Sequence, residues 1–173
     1  MKLIQKDLAD LDQKILLLRL DLNVPIKNEK IQDFNRIDKT LPTIKFLLKR
    51  KAKIILISHV GRPKGKKDSK FSLKPISKSL STKLSENVRL VNKNIFEIKK
   101  NDIFKKNEKI VMLENIRFYK EEEQNDLVFS KKLASLGDLY VNEAFSCSHR
   151  AHASINKIPK FLPSFSGLQL DLE

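Results

Sequence analysis

The chain has 173 residues, 40% of them apolar, a single cysteine and a formal net charge of +14. That length suits one domain or a little more, with a real core. It contains no apolar run of transmembrane length; the opening stretch MKLIQKDLADLDQK lacks the apolar region of a secretory signal, and the lone Cys147 excludes an internal disulfide and fits a reducing cytoplasm, as a small packing residue.

The nearly continuous apolar run KILLLRLDLN (14–23) predicts a strand buried on both faces. RIDKTLPTIKFLLKRK (36–51) predicts a helix with Leu41, Ile44, Leu47 and Leu48 on one stripe and Pro42 in its first turn. KIILISHV (53–60) is a second buried strand, and SLKPISKSLSTKL (72–84) a helix with Ser72 as N-cap. NVRLVN (87–92) and EKIVMLENIRF (108–118) are strands, and YKEEEQND (119–126) an exposed acidic turn of structural character. DLVFSKKLASLG (126–137) is a helix ended by Gly137, DLYVNEAF (138–145) a strand, and HASINKI a short helix; FLPSFSGLQLDLE has no clear pattern. Strands alternating with amphipathic helices define an α/β fold: a doubly wound parallel sheet with helices on both faces, in three layers.

Charge type carries more than charge number. Of 35 cations, seven are arginine, leaving 28 lysines. A chain so rich in lysine is expected to keep arginine where a flat, forked donor for carboxylate or phosphate is needed. Arg36, Arg62, Arg117 and Arg150 stand in loop-like stretches after strand candidates. Open parallel sheets bind ligands outside the carboxyl ends of their strands. If the four longest strands share one sheet, that rim gathers Asp21 and Asn23, then His59, Gly61 and Arg62, then Asn115 and Arg117, then His149, Arg150 and His152. The loop HVGRPKGKKD (59–68) resembles a nucleotide phosphate loop but departs from G-x-x-x-x-G-K-[ST]: its glycines are one residue too close, and Lys67 stands where the hydroxyl belongs.

Several arginines with a histidine can hold a small di-anion bearing phosphate and carboxylate, and Asp21 with Asn23 suits a hydroxyl. No cluster has zinc-ligand spacing and no nucleophile elbow is present. The chemistry expected of such a rim is positioning with electrostatic stabilisation, as in phosphoryl transfer. Each residue also has a structural reading: Asp21 paired with Arg19, His59 bonded to backbone, Arg62 a surface cation, Arg117 answering the acidic turn, His152 ordering its loop. The charge excess reads as lysine on solvated faces. Without tryptophan and with two tyrosines, it is not interleaved with aromatics, as a single-strand stacking platform requires.

RLDLNVP (19–25), RIDKTLPTIKFLL (36–48), SHVGRPKG (58–65), LENIRFYKEEEQND (113–126) and LYVNEAFSCSHRAHAS (139–154) together closely resemble the phosphoglycerate kinase family, in its order and spacing and over nearly the whole chain. The resemblance implies a two-domain, cytoplasmic, monomeric enzyme of glycolysis and gluconeogenesis. It transfers a phosphoryl group reversibly between 1,3-bisphosphoglycerate and ADP, giving 3-phosphoglycerate and ATP. Residues 1–173 would form a single substrate-binding domain, with 160–173 approaching the interdomain segment. A C-terminal domain absent from this chain would bind Mg-ATP or Mg-ADP. No cofactor, metal, nucleic acid or membrane is expected on this chain, nor turnover by it alone. Carried over by motif, Asp21, Leu22 and Asn23 would contact the glycerate, and Arg36 would be catalytic, stabilising the phosphoryl group in flight. His59, Val60, Gly61 and Arg62 would bind substrate from the loop, and Arg117 and Arg150 would complete the basic patch. The family usually has aspartate where Glu143 stands, and glycine, threonine and alanine near Ser146, Cys147 and Ser148. The competing reading is a stand-alone basic module for another phosphorylated ligand or RNA.

Overall fold

The computed structural model describes residues 2–4 and 10–169. In chain order it contains β1 (Lys2–Leu3), β2 (Ile15–Arg19), a hairpin of β3 (Ile26–Lys27) and β4 (Lys30–Ile31), α1 (Asn35–Lys49) and β5 (Lys53–Ile57). Then come α2 (Lys74–Leu84), β6 (Val88–Val91), β7 (Ile110–Leu113), α3 (Lys120–Glu123), α4 (Leu127–Ala134), β8 (Leu139–Asn142), a π-helical turn (Ala153–Lys157) and β9 (Ser164–Ser166). Seven strands form one parallel sheet in the order β1-β9-β8-β2-β5-β7-β6.

Side-chain alternation explains the layers. Leu16, Leu18, Ile54, Leu56, Ile110 and Met112 pack on one face against Ile37, Ile44 and Leu47 of α1 and Ile76 and Leu80 of α2. Leu17, Ile55, Ile57, Val111 and Leu113 pack on the other, against Phe129 and Leu133 of α4 and Ile95, Ile98 and Ile103 from the β6–β7 connection. With both faces covered, the strands read as unbroken apolar runs. Each buried leucine contributes about 1.5–3 kcal/mol relative to exposure. The fold is the expected three-layer, doubly wound parallel sheet. Its central strand β2 pairs with β5 in the register Leu16↔Ile54 and with β8 in the register Leu16↔Leu139. The crossover from β2 runs to β5 on one side and that from its neighbour β8 runs to β9 on the other, and such a reversal is where these sheets open a crevice.

The main strands end sooner at the rim than their apolar runs suggest, at Arg19, Ile57, Leu113 and Asn142. Leu20, Leu22 and Val60 remain buried in the core after the ladder has ended, so apolar continuity overruns the strand. Pro42 lies in mid-helix because α1 begins at Asn35, whose N–H donates to Asp33 Oδ1 at 2.9 Å. The N-cap position of α2 is Leu73, not Ser72. Ser72 Oγ still accepts from Lys74 N (3.2 Å), and Glu114 takes the Leu73 N–H at 2.8 Å. Helix α4 stops at Ala134, and Gly137 lies beyond its C-cap, Ser135. The acidic turn is instead helix α3, with Glu122 wholly buried. The unpatterned C-terminal stretch supplies β9, paired with both β8 and β1; its residues 170–173 lie outside the described residues.

Candidate functional site: a cationic cleft at the carboxyl rim

Each rim residue is delivered by a crossover and fixed by its neighbours. After β2 the chain turns through Asp21 and Asn23, where Asn23 Oδ1 accepts the Gly61 N–H at 2.9 Å and so ties the first loop to the second. Gly61 has φ +64° and lies against the Phe71 ring, which a Cβ would overlap; only glycine takes both the conformation and the contact. The buried Asn115 donates to Val60 O (2.8 Å) and Phe71 O (2.9 Å) and accepts from Arg117 N (3.0 Å). It is thus a structural lock between the loop after β5 and that after β7, not a ligand group.

Asp21, Asn23, Arg36, His59, Gly61, Arg62, Arg117 and Arg150 line one cleft of about 300 Å³, joined by Ser146 and Cys147. The other two expected residues do not: the Leu22 and Val60 side chains are buried in the core beneath it. Asp21 pairs with Arg36, whose Nη1 lies 2.7 and 2.8 Å from its two oxygens, and accepts a hydrogen bond from Ser146 Oγ. The alternative partner, Arg19, points inward instead and is wholly buried. Arg62 and Arg150 are exposed. Arg117 is 4% exposed; its Nη1 donates to Gly61 O (3.3 Å), while its Nε has no hydrogen-bond partner and lies 3.9 Å from Glu123 Oε1. Arg117 thus leans toward the acidic helix and lines the cleft as well. Burial, more than the neighbouring cations, lowers its pKa.

His59 is nearly buried, with Nδ1 3.1 Å from Arg19 Nη2. Burial first, then Arg19, Arg117, Arg150 and His152, drive its pKa down to about 2. His152 is lowered by burial and by Arg117. Arg19 is held by Ser154 Oγ at 2.9 Å and by Leu20 O, and Ser154 in turn holds Glu122, whose pKa is raised by burial. This inner layer of Arg19, Ser154 and Glu122 is absent from the expected site. Its signal was a charged residue inside LLLRL, where a strand buried on both faces leaves a cation no water.

The positions that depart from the family pattern have visible work. Glu143 Oε1 accepts from Thr43 Oγ1 (2.8 Å) and Gln169 N (2.9 Å), joining α1 to the segment after β9. Cys147 packs with Ala144 and Ile155.

The chain is thus a doubly wound α/β protein with several arginines converging on one cationic cleft at its carboxyl rim. Residues 6–173 match the family model for phosphoglycerate kinase, and the chain belongs to that family. It is 52% identical over 174 residues to the phosphoglycerate kinase of Wolbachia sp. subsp. Brugia malayi, covering 95% of this chain and 41% of the relative. It is 50% identical over 165 residues to that of Dictyoglomus turgidum, again 95% and 41%. The phosphoglycerate kinase structure from Coxiella burnetii superposes with a TM-score of 0.87 at 34% identity, covering 98% of this chain and 42% of that one. For the Pyrococcus horikoshii enzyme the values are 0.84, 27%, 99% and 44%. The chain thus spans about two fifths of the length of these relatives.

Proposed function

We propose that the cleft binds 3-phosphoglycerate, and that this chain is the acid-binding part of an enzyme moving a phosphoryl group between 1,3-bisphosphoglycerate and ADP. The observation that carries this reading is the convergence of Arg36, Arg62, Arg117 and Arg150 with His59 on one cleft, in a chain with only seven arginines. Arginines that fork onto phosphate and carboxylate give both charge and orientation. Phosphoryl transfer needs little more from the protein than positioning and electrostatics. Asp21 and Asn23 are assigned to the glycerate hydroxyl, Arg62, Arg117 and Arg150 to the anionic groups, and Arg36 to the group in transit.

The Mg-nucleotide, which supplies or accepts the phosphoryl group, is assigned to the part of the relatives that this chain does not span. The loop 59–68 lacks nucleotide-loop spacing, and its backbone is committed elsewhere: Gly61 N to Asn23 and Gly65 N to Arg117 O at 3.1 Å. Calorimetric titration of the 173-residue chain checks the assignment. The expected result is weak binding of 3-phosphoglycerate, because nothing closes over it to exclude water, and no specific response to Mg-ATP. Tight ATP binding with no response to 3-phosphoglycerate would reverse it. A steep salt dependence, from release of several counterions, would favour RNA over a small di-anion.

A further inference from the structure

We infer that Glu122, Ser154 and Arg19 form a buried chain that holds His59 as the Nε2–H tautomer, making it a neutral hydrogen-bond donor to the anion in the cleft. The inference rests on the reading that a phosphorylated acid occupies that cleft.

A guanidinium has five N–H donors and no acceptor. Arg19 Nη2 lies 3.1 Å from His59 Nδ1, so Nδ1 is the acceptor and bears no proton. In a neutral ring the proton is then on Nε2, the ring donor left for a ligand. Arg19 cannot turn away. Its Nε donates to Ser154 Oγ at 2.9 Å, its Nη1 to Leu20 O, and the residue is wholly buried.

A cation buried this deeply needs a counter-charge, and Glu122 is placed to supply it. Ser154 donates Oγ–H to Glu122 Oε1 at 2.5 Å and N–H to Oε2 at 2.9 Å, so one serine joins carboxylate to guanidinium. Ser154 is itself fixed, since Tyr140 donates its hydroxyl to the Ser154 carbonyl at 2.7 Å. The chain starts from α3 and the π-helical turn and reaches the cleft through β2, so elements far apart in sequence set one proton.

The charged and titratable groups that act on His59 are Arg19, Arg117, Arg150 and His152; Asp21 and Cys147 line the same cleft, and Glu122 stands behind Arg19. Adding a proton at Nδ1 would set N–H against N–H beside three guanidinium groups. His59 thus meets its ligand through a hydrogen bond that does not vary between about pH 5 and about pH 8, where an unassisted histidine changes charge.

The test reads the ring directly. In the ¹⁵N-labelled 173-residue chain without ligand, long-range proton–nitrogen correlation should show Nδ1 unprotonated and Nε2 protonated across that range, with His59→Gln identifying the signals. Arg19→Met combined with Glu122→Gln removes both buried charges together. It should move the two nitrogens toward a mixture of tautomers and weaken 3-phosphoglycerate binding about tenfold, the scale of one charge-assisted hydrogen bond. Ser154→Ala should shift them part of the way. An Nδ1–H ring or an imidazolium near pH 6 in the parent chain overturns the inference, as does a folded double variant with unchanged His59 signals. Should the double variant not fold, the parent tautomer and Ser154→Ala decide. Because the tautomer is read without ligand, an Nε2–H ring in a chain that ignores 3-phosphoglycerate would sink the functional proposal and leave the ring assignment standing.

Discussion

His59 shows how much one burial decision commits the chain. Its pKa is about 2 in the fold and 6.5 when unperturbed. Below about pH 6.5 the unfolded chain takes a proton that the folded ring refuses, so stability falls as pH falls, by about 1.4 kcal/mol per unit down to the folded value. His152, shifted the same way, adds to the slope. Urea midpoints at about pH 7.5 and about pH 5 should differ less in His59→Gln, by close to one proton's worth; an unchanged difference would mean that the native ring titrates normally. Arg36 is the opposite kind of residue. It is half exposed, and its ion pair is with Asp21, also in the cleft. If Arg36 acts on the group in transit as proposed, Arg36→Lys in a full-length enzyme with these residues should lower kcat well over about tenfold and KM much less, the mark of a contact made only in the transition state. Turnover within about threefold of the parent would remove Arg36 from the chemistry.

The elements were legible in their middles and not at their ends. Two-faced burial makes the runs around Leu16, Ile55 and Val111 unmistakable, and the same burial continues under the loops at Leu20 and Val60, so apolar pattern cannot say where pairing stops. The cleft's cations were legible because arginine is scarce. The support beneath them was not, because Glu122 lies among four consecutive charged residues, Lys120 to Glu123, and only the fold shows that it turns inward. Gly137 marks a related limit. It looked like a helix stop, yet its φ is not positive and its role is close packing. A Cβ there would lie 2.8 Å from Leu17 Cγ and 3.3 Å from Ile15 O. Gly137→Ala should destabilise by about 1–3 kcal/mol through overpacking. Gly137→Asn, tolerated at a left-handed helix cap, should be at least as damaging. Denaturant unfolding of both variants distinguishes a packing glycine from a capping one.

The whole domain is closed by a strand that its sequence hid. Phe165 of β9 is 6% exposed, and its strand lies between β1 and β8. Phe165→Ala should cost about 3 kcal/mol or more, lowering the thermal midpoint and loosening the β1 margin first by hydrogen exchange. A variant as stable as the parent would mean that β9 is only draped on the sheet. The sheet's centre carries a different consequence. β2 is complete only when β8 pairs with it, and the Ile15–Asp138 bond at that seam spans 123 residues. A ribosome adding about 5–20 residues per second needs roughly 6–25 s to cover that distance. Throughout that interval the nascent chain carries its central, largely apolar strand with at least one flank unpaired. The middle of the finished protein is thus sheltered late in its synthesis, ahead only of the margin that β9 completes.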